Sequence, residues 1–222
     1  MTEGANRMEF FMRLLLSALA LAAGFAAPAS ATPPFSGWTE QTFSLFSKND
    51  WKAGADVLSV RSDGTVSLLW TALPEPVAAK AASWSWSVSE SVPESRLDRK
   101  GGDDRNLSVY FIFMPREVAE KNRGARIRTL LGIDEARILM YAWGGNHAQG
   151  AILPSPYLGA RGRTVALRTA STGSFSENVD LARDFKSAFG SAPTELVGLA
   201  VSADSDDTDG QIRAQLSRLS LR

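Results

Sequence analysis

Residues 83–88 read Ser-Trp-Ser-Trp-Ser-Val, a strict period of two. An extended strand puts Trp84, Trp86 and Val88 on one face and the three serines on the other, which no helix does. Residues 107–114 and 197–203 are apolar on both faces, the pattern of strands in the middle of a packed sandwich. Residues 65–70 follow the turn pair Asp63-Gly64, and residues 138–143, 164–170 and 212–221 complete the strand-like set. The last of these changes phase between Leu216 and Leu219, which predicts a bulge or a break. A series of short strands with turn residues between them favours a mainly β fold, a β-sandwich rather than a βαβ architecture, with jelly-roll connectivity as the first choice.

Two stretches break the strand pattern. Leu181, Phe185 and Ala188/Phe189 recur at helical spacing, with Asn178 or Asp180 to cap the start and Gly190 and Pro193 to stop it. One short amphipathic helix is therefore expected over 180–189. Residues 116–134 are highly charged and interrupted by Gly124 and Gly132, which predicts a partly helical excursion. The surrounding charged region, 96–137, reads as a solvated face, with a docking surface as the alternative.

Residues 1–31 carry the marks of a signal peptide. Arg7 and Arg13 flank an apolar stretch over 14–27, and Ala29-Ser30-Ala31 is a small-x-small cleavage site before Thr32. Met12 alone would start a complete signal. The apolar stretch is too short to span a bilayer, and no later segment approaches the ~18 apolar residues a spanning helix needs. The expectation is a single β-sandwich domain over 32–222, periplasmic or secreted, with no transmembrane anchor.

Composition removes several functions. Lys and Arg number 24 and Asp and Glu 24, so no basic excess exists to neutralise phosphates, and a nucleic-acid partner is not expected. The cysteine count is zero, which excludes a thiol nucleophile, a disulfide framework and a lipidated cysteine. A single histidine, His147, lies in a glycine-rich loop and cannot build an ordinary zinc site unaided. No G-x-S-x-G elbow, phosphate-binding glycine loop or H-E-x-x-H motif occurs.

The remaining candidates are acids and aromatics. The loop 204–210 reads Asp-Ser-Asp-Asp-Thr-Asp-Gly, and Asp204, Asp206 and Asp207 offer the hard oxygen ligands that suit Ca²⁺. The loop does not follow the EF-hand pattern, because its glycine falls at the seventh position, and a metal-free solvated turn is the plainer reading. Asp103 and Asp104 could supply further carboxylates. Trp84 with Trp86, and Tyr141 with Trp143, each place two rings on one strand face. Such pairs either stack on a sugar or pack in the core, and core packing is favoured. Glu177, Asp180 and Asp184 cluster before and on the expected helix. A glycosidase needs two acids flanking its bond, yet a capping or surface role suits these three better.

Taken in order, these motifs resemble a known family. Trp84-x-Trp86 leads to Gly102-Asp103-Asp104 and the aromatic segment 109–113. Tyr141-x-Trp143-Gly144 follows, then Asp184-Phe185 with Phe189-Gly190, the Val-Gly-Leu-Ala-Val segment 197–201 and the Asp-x-Asp-x-Thr loop. This succession is similar to that of the exported bacterial proteins of domain-of-unknown-function family 3047, from about residue 43 to 221. The resemblance implies an exported β-rich domain and assigns no activity. It also implies an arginine before the helix, where this chain has Glu177-Asn178-Val179-Asp180, and an aromatic in the final strand, which Arg213-Ala214-Gln215-Leu216 lacks.

The leading expectation is a non-catalytic sandwich that binds a carbohydrate or another envelope component, with Trp84, Trp86, Asp103, Asp104, Tyr141 and Trp143 as candidate ligand-binding residues. A glycan hydrolase using paired carboxylates and a structural or partner-binding envelope protein are the alternatives.

Overall fold

The alternating segment lies in a strand, Ala81–Glu90, whose Ala82, Trp84, Trp86 and Val88 are buried while the intervening serines are partly open. The computed structural model describes residues 32–43 and 47–222, and the signal peptide expected over 1–31 lies outside them. Along the chain the strands are β1 (Thr39–Thr42), β2 (Asp50–Ala53), β3 (Val57–Asp63), β4 (Val66–Val77), β5 (Ala81–Glu90) and β6 (Arg105–Met114). They continue as β7 (Arg137–Gly144), β8 (Ile152–Ser155), β9 (Gly159–Arg168), β10 (Gly173–Asp180), β11 (Glu195–Asp204) and β12 (Gln211–Leu221).

Two sheets form a jelly-roll-like sandwich. One has seven strands in the order β1-β4-β11-β6-β7-β9-β8, and the other five in the order β10-β5-β12-β3-β2. Among the described residues β7 and β9 pair in parallel and the other ladders are antiparallel. Apolar side chains of β5, β12 and β3 meet those of β6, β7 and β11 across the sandwich, and burial of this face is the main stabilising contribution.

The phase change expected late in the chain is a bulge in one continuous strand. The β12–β5 register shifts between Ser217 and Ser220, and Arg218 takes a φ of 54°, which turns Leu219 and Leu221 back to the core. The helix expected over 180–189 is present as Leu181–Phe189. The Asp180 side chain accepts the Arg183 N–H at 2.9 Å, and Gly190 closes the helix at φ 77°.

The charged excursion holds two short helices, α1 (Arg116–Lys121) and α2 (Ile127–Gly132), so Leu181–Phe189 is α3. Ile127 and Leu130 of α2 pack on Tyr110, Ile112, Met114, Ile138 and Met140. This second cluster lies on the face of the seven-stranded sheet turned away from its partner sheet. It gives β6 its second apolar face: Val109, Phe111 and Phe113 enter the sandwich, and Tyr110, Ile112 and Met114 lie under the excursion. Among the described residues no helix is long and apolar enough to cross a membrane.

Candidate functional site

The short helices cover part of that outer face. The remainder is a cleft of about 430 Å³ over the starts of β4 and β6 and the end of β11. Leu68, Tyr110, Met140 and Thr164 rise from four strands to form its floor, and Leu97, Tyr157 and Leu158 come from loops. Asp103, Arg105, Asp204 and Asp206 form its polar end.

Strand register assembles that polar end. Antiparallel pairing of β6 with β11 sets Arg105 against Asp204, and pairing with β7 sets Arg105 against Gly144. A Cβ at position 144 would lie 2.6 Å from the Arg105 Cβ and 2.7 Å from its Cα, so the close approach requires glycine. Arg105 Nη1 donates to Asp103 Oδ2 at 2.8 Å and to the Asp103 carbonyl at 2.7 Å, and it pairs with Asp204 Oδ2 at 3.0 Å. Arg105 Nη2 donates to the Tyr110 hydroxyl at 3.2 Å, which lies 3.0 Å from Ser202 Oγ.

The acidic loop is anchored from two sides. Ser205 is fully buried, with its hydroxyl 2.8 Å from Ser62 Oγ and its N–H bonded to the Thr65 carbonyl. Asp104, also fully buried, accepts the Asp207 N–H at 3.2 Å, the Thr208 N–H at 2.8 Å and the Thr208 hydroxyl. The Asp103 N–H in turn donates to Asp207 Oδ2 at 3.2 Å. Asp104, Asp204 and Asp206 each place a carboxylate oxygen within 4.8 Å of the others, a grouping that suits a metal ion.

Burial pushes the Asp204 carboxyl well above the usual range; Arg105 opposes this, while Asp206 and Asp103 add to it. Burial also raises Asp207. The Tyr157 hydroxyl donates to Asp103 Oδ1 at 3.2 Å, and it is pushed up to about 12 by burial, with the Gly101 N–H opposing and Asp103 reinforcing.

The sequence candidates divide between this cleft and the core. Asp103, Asp204 and Asp206 line the cleft and Asp104 lies in the adjoining acidic group, whereas the Asp207 side chain turns to the Asp103 N–H and stands outside the three-acid group. Trp84 and Trp86 are 2 % exposed and Tyr141 and Trp143 are 0 % exposed. Their rings pack on one another, with centroids 5.4 Å apart for Trp86–Trp143 and 5.7 Å for Trp84–Tyr141. The core packing favoured for both pairs is what the structure shows, and it takes these four rings out of the candidate ligand-binding set: the strand face that carries them is the one that closes the sandwich.

Glu177, Asp180 and Asp184 also serve the scaffold. Glu177 receives Trp86 Nε1 and Arg168 Nε at 3.0 Å each, Asp180 caps α3, and Asp184 Oδ2 accepts the Tyr141 hydroxyl at 2.9 Å. His147 is not a freely solvated loop residue. Its side chain is 13 % exposed, and its Nε2 stands 3.6 Å from Asp98 Oδ1.

Sequence reasoning missed Arg105, Tyr110 and Tyr157. Arg105 directly follows Asp103-Asp104 at a strand start, which is a usable signal for a charge-paired group. Tyr157 follows Ser155-Pro156 in a turn and carries no comparable mark.

A family model described as "Protein of unknown function (DUF3047)" matches residues 36–220, and the chain belongs to that family. No curated protein matches the chain. Among solved structures, the xyloglucanase domain of NopAA from Sinorhizobium fredii is 11% identical at a TM-score of 0.45, covering 88% of this chain and 96% of that one. The family 11 carbohydrate-binding module of the Clostridium thermocellum cellulase Lic26A-Cel5E is 9% identical at a TM-score of 0.43, over 88% and 95%. A cellulase derived from Cel12A of Rhodothermus marinus is 12% identical at a TM-score of 0.47, over 87% and 95%.

Proposed function

We propose that this member of the DUF3047 family is an exported, non-catalytic sandwich that binds a carbohydrate in the outer-face cleft. Tyr157 carries the reading. The residue is 56% exposed at the edge of a largely apolar cleft, while its hydroxyl is tied to the buried Asp103. A flat ring held still beside carboxylates and a guanidinium is what a sugar needs: its C–H face stacks and its hydroxyls find polar partners. The apolar floor of Leu68 and Met140 excludes water beneath the ligand.

The signal-peptide pattern of residues 1–31 supports export to the periplasm or out of the cell. For the Asp104–Asp204–Asp206 group the cation we propose is Ca²⁺, since every ligand is a hard carboxylate oxygen and neither histidine nor cysteine joins the group.

A glycan array followed by calorimetric titration tests the binding. The expected result is a saccharide whose affinity falls by about tenfold or more in Tyr157→Ala, with a melting curve that verifies the variant is folded. Binding of no saccharide, or equal binding by the variant, removes the reading. Appearance of new reducing ends during incubation would replace binding with hydrolysis by cleft carboxylates.

A further inference from the structure

One atom at the polar end of the cleft has no partner. Asp204 is 7% exposed and its Oδ2 is paired with Arg105, but its Oδ1 is buried with no hydrogen-bond partner among the described residues. A buried carboxylate oxygen left in that state is costly. Its neighbours deepen the imbalance: Asp104 and Asp206 each bring a carboxylate oxygen within 4.8 Å of one of Asp204's, and Asp103 shares the single Arg105 cation with Asp204. The Thr208 and Asp207 donors satisfy Asp104 from behind and leave Asp204 as it is.

We propose that Asp104, Asp204 and Asp206 hold Ca²⁺ and that this ion in turn takes two vicinal hydroxyls of a neutral sugar in the cleft; the second half rests on the carbohydrate reading above. Ca²⁺ binds oxygens at roughly 2.3–2.6 Å, so any two of its ligands stand at most about 5 Å apart. The 4.8 Å limit on the three carboxylates fits that sphere. The ion takes about 6–8 oxygens, so three side chains leave several positions unfilled. Asp204 and Asp206 line the cleft, whereas Asp104 is fully buried behind the loop, so the unfilled side faces the cleft.

Charge selects the class of ligand. Asp103, Asp104, Asp204, Asp206 and Asp207 stand against Arg105, the doubly charged ion and Lys100, whose Nζ lies 5.5 Å from the Tyr157 ring centroid, which leaves one negative charge in excess. A uronate or sialate carboxylate would meet repulsion there, while the hydroxyls of a neutral sugar coordinate without adding charge. Tyr157 then lies against the ring of the same sugar.

The test uses the full folded chain stripped with EGTA. Ca²⁺ alone, titrated by calorimetry, is expected to bind at one site, and Asp206→Asn is expected to weaken it by about tenfold or more. Asp206 is exposed, so this substitution leaves the core intact, and a melting curve verifies folding. Tyr157→Ala is expected to bind Ca²⁺ as the natural chain does. The saccharide identified by array is then titrated with Ca²⁺ and with EGTA, where about tenfold or greater weakening is expected, and saturating saccharide must tighten Ca²⁺ by the same factor. Failure of the natural chain to bind Ca²⁺, or equal binding by folded Asp206→Asn, overturns the cation site and leaves the carbohydrate reading standing. Ca²⁺ binding with saccharide affinity untouched by EGTA overturns the bridge alone. Ca²⁺ binding with no saccharide bound in its presence overturns the bridge together with the carbohydrate reading.

Discussion

Two aromatic regions lie back to back on the seven-stranded sheet and have opposite fates. On the inner face Tyr141 and Trp143 of β7 meet Trp84 and Trp86 of β5, and all four rings are shut between the sheets. On the outer face Tyr110 of β6 is covered and Tyr157 is open. Residue type does not separate the two regions, since both mix aromatic rings with acids. The cover separates them. The inner face meets a complete five-stranded sheet, and the outer face meets two short helices that cover only part of it, with Leu131 of α2 at the edge of the cleft.

Substitutions can break or sharpen that contrast. Trp84→Ala on the inner face is expected to cost about 4 kcal/mol in urea unfolding, because a large ring is removed from a closed interior. A loss near that of a surface substitution would mean the rings are not the interior of the sandwich. Arg105→Met, at the boundary between covered and open, leaves Asp103 and Asp204 buried without their cation and is expected to cost about 3 kcal/mol. Added Ca²⁺ should return part of that loss, seen as a partial recovery of the denaturation midpoint.

Smaller effects belong to the cleft. Ser202→Ala takes away a partner of the Tyr110 hydroxyl while Arg105 still reaches it, for about 1 kcal/mol by the same unfolding measurement. Tyr157→Ala is expected to cost about 1 kcal/mol, because Asp103 Oδ1 loses its donor, while weakening saccharide binding by about tenfold or more in calorimetry. Should it destabilise as Trp84→Ala does, the outer ring is scaffold and the contrast between faces disappears.

The scaffold was legible where pattern is local. The period of two at residues 83–88 fixed a strand and its buried face, and the cap and stop residues placed α3. The phase change at Leu216–Leu219 marked the bulge because one added residue must turn the following side chains over. Apolar character on both faces of β6 was visible too, although its cause lay elsewhere: the charged excursion supplies Ile127 and Leu130 to cover the outer face. The candidate site was only half legible. Asp103, Asp104, Asp204 and Asp206 stood out as acids, but their convergence depends on β6–β11 pairing, a non-local register that no short window contains. The Trp84 and Trp86 rings were correctly placed on one face, yet which face meets solvent is decided by the other sheet. Tyr157 gave no signal because its role comes from where a turn happens to lie.

The hydrogen bonds from Asp207 and Thr208 to Asp104 join residues 103 and 104 positions apart in the chain. Closing so long a loop is entropically slow, and contacts of this kind are made late, after shorter-range ladders have formed. The acidic loop therefore takes its shape only once β11 is docked beside β6, and the buried Ser205 amide should exchange through opening of the sandwich rather than through local fraying. Whatever binds there pulls on the folding equilibrium of the entire sandwich, and no excised hairpin retains the capacity.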